Sequence, residues 1–143
     1  MTVKKFNVQE EGLNHFFGSL EARIMDILWS SEAMTIGEVH EILNAEIPIS
    51  FNAVMTVMNR LLEKDHLQKE LRGSGRGRAF IFHPIQTRDQ FLSEQTKAVT
   101  VGLIQEYGDL VVNHMVDALN DADPQLIAKL QDKLNHMSSR NKP

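Results

Sequence analysis

The 143-residue sequence predicts a mainly α-helical fold with one small β-hairpin. Three observations carry that expectation. Apolar residues recur at three- and four-residue spacing through most of the chain. The pattern changes only around residues 67–83, where an alternating run and a run of strand formers are separated by "RGSGRGR", a glycine-rich break where a hairpin turn belongs.

The elements follow in order. Residues 1–18 show no sustained period, although Phe6, Leu13, Phe16 and Phe17 are more apolar than a solvated tail needs. A short ordered arm is expected there. In "SLEARIMDILWSS", Leu20, Ile24, Ile27 and Leu28 fall at helical spacing with Met25 and Trp29 beside them. This predicts a helix over about 19–31, with Ser19 as its cap and Trp29 as a structural residue. In "MTIGEVHEILNAE", Thr35 and Glu38 have the spacing of a capping box, and Val39, Ile42 and Leu43 form the apolar stripe of a helix over about 36–46. Pro48 ends that helix, and Ser50 stands where a cap for the next one is needed.

"FNAVMTVMNRLLEKD" predicts a third helix, over about 51–65. At 100° per residue Val54, Val57, Met58, Leu61 and Leu62 share one side, while Asn52, Thr56, Asn59 and Arg60 share the other. The alternation in "LQKEL" and the strand formers of "AFIFH" then make the hairpin. After Pro84, Thr87 and Gln90 form a second capping box, which opens a long helical segment interrupted near Gly108. Asp123-Pro124 reads as a cap and a first-turn proline before a last helix.

Composition narrows the function. The formal net charge is -4, yet residues 60–88 hold seven Lys+Arg against three Asp+Glu. That block is net +4 and the remainder is net -8. Three arginines and three glycines lie within the seven residues Arg72 to Arg78. A basic block in an acidic chain points to a local anionic partner. The chain has no cysteine, which removes disulfides and thiolate metal sites. The six histidines are dispersed, and "HEILN" places Asn44 where a zinc-protease motif requires a second histidine. "GSGRG" matches neither a P-loop nor a dinucleotide fingerprint, and no serine sits in a nucleophile elbow. No enzyme, metal or cofactor is therefore expected. No apolar run approaches the roughly 20 residues of a membrane span and no signal peptide is evident, so a cytoplasmic location without membrane contact is expected.

Three helices followed by a hairpin with a basic tip is the order of a winged helix-turn-helix. In that arrangement the helix of 51–65 would lie in the DNA major groove and the hairpin would be the wing. The candidate DNA contacts are Asn52, Ala53, Thr56, Asn59 and Arg60 on the helix, the capping residues Thr35 and Ser50, and Arg72, Arg76 and Arg78 on the wing. Amide and guanidinium groups can bond base edges, Ala53 can touch a thymine methyl, and the wing arginines suit phosphates. A second reading stays open on these residues: a non-catalytic interaction module whose basic wing binds an acidic protein partner.

"FGSLEARIMDILW", "TIGEVHEIL" and "ISFNAVMTVMNRLLEKDHL", followed by a basic wing and "AFIFHP", resemble the penicillinase-repressor family of bacterial transcription regulators, the BlaI/MecI/CopY type. The resemblance covers about residues 17–137. It implies a homodimeric repressor on a palindromic double-stranded DNA operator. It also implies an N-terminal winged-helix domain, placed here at 19–84, and a C-terminal helical dimerisation domain, placed at 85–137; outside it the residues themselves read as the arm at 1–18 and a flexible tail at 138–143. The dimerisation candidates are Leu103, Ile104, Leu110, Val111, Met115, Leu119, Leu126, Ile127, Leu130 and Leu134, and His114 in that region can tune assembly with pH. Antibiotic-responsive members are cleaved at an Asn-Phe bond by a sensor protease. The matching position here reads Ala118-Leu119, so that specificity does not carry over and a sensor protease remains unassigned. Copper-responsive members use cysteine ligands that this chain lacks.

Overall fold

A computed structural model describes residues 6–140; the remainder of the expected arm (1–5) and of the expected tail (141–143) lies outside the described residues. The elements are α1 (Ser19–Trp29), α2 (Ile36–Glu46), α3 (Phe51–Glu63), β1 (Leu67–Arg72), β2 (Ala79–Pro84), α4 (Arg88–Leu119) and α5 (Pro124–Arg140). The chain divides into two compact units, at Val99 and Thr100. α5 runs on through residue 140, past the start expected for the tail.

Local chemistry explains most element ends. α1 starts from Gly18 in an extended conformation with no side-chain cap, so Ser19 is its first helical residue and not the expected cap. It stops at Trp29, short of 31, where the Ser30 and Ser31 hydroxyls donate to the carbonyls of Asp26 and Ile27. α2 carries the full capping box: the Glu38 N–H donates to Thr35 Oγ1 at 3.1 Å and the Thr35 N–H to Glu38 Oε1 at 3.2 Å. α3 is capped by Ser50, whose Oγ accepts from the Ala53 N–H. It ends at Glu63 in a Schellman motif, with the His66 N–H donating to Leu61 and the Asp65 N–H to Leu62. Asp65 takes the left-handed φ of 62° that this motif demands.

The first unit is a three-helix head with a two-stranded antiparallel sheet, Leu67 facing Pro84 and Arg72 facing Ala79. Met34 and Phe82 exchange two backbone hydrogen bonds, which attach the loop before α2 to the edge of β2. Ile24, Met25 and Leu28 of α1 meet Val39 and Leu43 of α2, Val54, Met58 and Leu61 of α3, and Leu67 and Phe82 of the hairpin in one core. Phe91, near the start of α4, is 2% exposed and joins that core. Its ring meets Phe17, Phe16, Trp29 and His66 with centroids between 5.0 and 5.7 Å apart. Trp29 Nε1 also donates to the Gln86 carbonyl at 2.9 Å. The Thr87–Gln90 capping box then opens α4. Aromatic packing thus locks the arm, α1 and the first turns of α4 together.

The second unit is different in kind. α4 is kinked at Tyr107, whose φ of -130° is not helical, next to the Gly108 expected to interrupt it. Asp123 Oδ1 accepts from the Gln125 N–H and starts α5. None of residues 100–139 is buried. Leu103, Ile104, Leu110, Met115, Leu126 and Leu134 are each at least 40% exposed, and Val111, Leu119, Ile127 and Leu130 are half-buried.

Phe91→Ala is expected to destabilise the first unit by about 3–5 kcal/mol, the usual cost of truncating a core aromatic. Urea unfolding followed by Trp29 fluorescence measures it. A loss below about 1 kcal/mol would mean that the arm and α4 do not depend on this ring.

Candidate nucleic-acid interface

The burial of α3 decides what it presents. Val54, Met58 and Leu61 are fully buried, with Val57 and Leu62 packed beside them. Asn52, Thr56, Asn59 and Arg60 consequently stand on the exposed side. Ala53 is half-buried, with its backbone N–H held by Ser50. Thr56 donates its hydroxyl to the Asn52 carbonyl at 2.8 Å, which leaves its oxygen as an acceptor and its methyl as an apolar contact. The oxygens of Thr35 and Ser50 accept cap hydrogen bonds; the Ser50 hydroxyl proton remains available to an outside acceptor, whereas the Thr35 hydroxyl is turned to the Glu38 carboxylate.

Two side chains one helical turn apart on α2 set where α3 begins. Asn44 Oδ1 accepts from the Ile49 N–H at 3.1 Å, and His40 Nε2 lies 2.8 Å from the Ile49 carbonyl oxygen. A carbonyl can only accept, so Nε2 is the protonated nitrogen and donates. Both backbone groups of the residue before the Ser50 cap are therefore gripped by α2. Phe51, 45% exposed at the first position of α3, rests its ring edge-on against His40 at 5.8 Å. The i, i+4 spacing of His40 and Asn44 fails as a metal motif and works here as a clamp. Neither these two residues nor Phe51 stood out in the sequence as functional, because the turn they hold is closed only by folding.

The wing tip is a defined turn. Gly73 has φ +83°, and a Cβ there would lie 2.9 Å from the Gly77 carbonyl oxygen, so only glycine fits. Gly75, at φ +61°, opens the 3-10 turn Gly75–Gly77. Arg76 and Arg78 are exposed, and among the described residues neither is in an ion pair. Arg72 differs from them, since its Nη2 lies 3.3 Å from Glu38 Oε1. Lys69 is also occupied, its ammonium 4.6 Å from the centre of the Phe80 ring. Among the described residues no group of His, Asp or Glu is placed to hold a metal ion, and no helix is long and apolar enough to cross a membrane.

Three helices, a bridged hairpin and a polar helix side in the same unit as a basic tip define a winged-helix protein. The penicillinase repressor family matches residues 17–136, and the chain belongs to that family. It is 38% identical over 77 residues to the transcriptional regulator BlaI of Mycobacterium tuberculosis, an alignment covering 53% of each chain. It thus spans about half the length of the curated relatives it matches. Among solved structures it is similar to a mutant of Lactococcus lactis ZitR, with 14% identity, a TM-score of 0.44, and 97% of this chain and 86% of that one covered. It is also similar to a PadR-like transcriptional regulator from Bacillus cereus, with 19% identity, a TM-score of 0.43, and 74% and 95% covered.

Asn44→Ala is expected to cost about 1 kcal/mol, the usual worth of one such hydrogen bond. Amide exchange should quicken at Ile49 and leave Val54 unchanged. Equal exchange at Ile49 in both proteins would show that Asn44 does not hold the turn.

Proposed function

We propose that this protein is a cytoplasmic, non-catalytic transcriptional repressor that occupies a palindromic DNA operator as a homodimer. The observation that carries the reading is the polar side of α3, Asn52 to Arg60, in the same compact unit as the exposed arginines Arg76 and Arg78. The helix suits the major groove, where Asn52 can bond an adenine edge and Arg60 a guanine or a phosphate. The wing arginines suit phosphates, which position a protein without reading sequence. Membership of a transcription-regulator family supports the same reading.

Homodimerisation is supported by the second unit. Exposed apolar side chains from Val101 to Met137 leave its helices without a core of their own. Such a surface gains free energy when a second copy covers it. Two heads joined in this way would read two half-sites with a fixed spacing, which is what an operator with dyad symmetry provides.

Arg76→Ala is expected to weaken binding to every duplex and to lower the slope of log affinity against log salt by about 0.9, the contribution of one phosphate contact. Asn52→Ala is expected to change base preference, with a loss of about 1–3 kcal/mol confined to operators carrying the contacted base. Selection from a random duplex pool, with sizing of the complex, tests the whole reading. An enriched palindrome bound by two chains is the expected result. Weak, salt-abolished retention with no enrichment would overturn it in favour of a module whose wing binds an acidic protein.

A further inference from the structure

Of the three wing arginines, only Arg72 is met by a carboxylate among the described residues. Glu38 Oε1 accepts from the Thr35 N–H at 3.2 Å and stands 3.3 Å from Arg72 Nη2. This one oxygen closes the α2 capping box and neutralises a wing cation 34 residues further along the chain. If the carboxylate swings away, the cap loses its bond from the Thr35 N–H and keeps only the one to Thr35 Oγ1. Glu38 is therefore a counter-anion tethered to the start of α2.

Sequence-independent attraction to DNA scales with the number of cations free to replace the counterions condensed on phosphates. A guanidinium already paired with its own carboxylate brings no net charge to that exchange. Given the DNA-binding reading proposed above, on which this inference rests, we propose that Glu38 is a specificity-determining residue that withholds Arg72 from sequence-independent phosphate binding. Arg76 and Arg78 are then the wing cations that attract any duplex, and the affinity for random DNA is kept low. The pair itself is solvent-exposed and adds little to folding. Its effect is to lower the free positive charge of the wing. The Thr35 N–H and hydroxyl, joined by Arg72, hold the Glu38 carboxyl below the usual carboxylate range, so the counter-anion persists at neutral pH.

Glu38→Gln separates charge from structure, because glutamine serves equally at this position of a capping box. With a random-sequence duplex as the probe, Glu38→Gln is expected to tighten binding about two- to fivefold, the range a surface pair of this kind represents. The salt slope should steepen by about 0.9. In the native background Arg72→Ala should leave that slope unchanged, whereas Arg76→Ala should lower it. Combined with Glu38→Gln, Arg72→Ala should abolish the gain. If Arg72→Ala alone flattens the slope as much as Arg76→Ala, Arg72 already neutralises a phosphate and the proposal is wrong. A gain that survives in the double variant would be a general effect of net charge and would also overturn it. If the native chain binds neither random nor selected duplex, the DNA-binding reading itself falls, and this inference with it.

Discussion

One side of α3 is sealed. Val54, Met58 and Leu61 lie four and three residues apart and have no exposure at all, pressed against α1, α2 and the start of β1. Turning the helix by a single residue would drive Asn59 or Arg60 toward an apolar core, at a cost no surface contact could offset. The rotation of α3 is therefore fixed from inside, and the polar side it shows to solvent is a consequence of packing. Its axial position is fixed separately. Ser50 caps its start, His40 and Asn44 hold the residue before that cap, and a Schellman turn closes its end.

The acidity of the whole chain says little about the face that matters. Arg23 forks onto Glu46 and approaches Asp26, Arg88 reaches the same Asp26, Lys64 pairs with Glu21, and Arg72 pairs with Glu38. The hydrogen bond from Arg23 holds the Glu46 carboxyl below the usual carboxylate range. Exposed pairs of this kind contribute little to stability. They decide instead which cations remain outside such pairs, and among the described residues Arg60, Arg76 and Arg78 belong to none of them.

The two units contrast in what they bury. The first holds the fifteen-residue apolar core, including the buried Phe91. The second spends its apolar residues on exposed surface, from Val101 to Met137, so its helices gain most by association.

The sequence by itself determined whatever depends on neighbours within about four residues. Helical periodicity, the Thr35–Glu38 and Thr87–Gln90 capping boxes, the Ser50 and Asp123 caps and the glycine-rich hairpin turn were all legible, because their partners are adjacent in the chain. The side of α3 that would be buried was legible for the same reason. Ser19 was misread as a cap because glycine can occupy that position with no side chain to signal it. Tertiary structure alone decided the rest: the Met34–Phe82 bridge, the rings gathered around Phe91, the His40 and Asn44 grip on Ile49, and the reach of Arg72 to Glu38. Each of these joins groups separated by a turn or by whole elements, and no local propensity specifies which of many equivalent polar or aromatic side chains the folded backbone brings together.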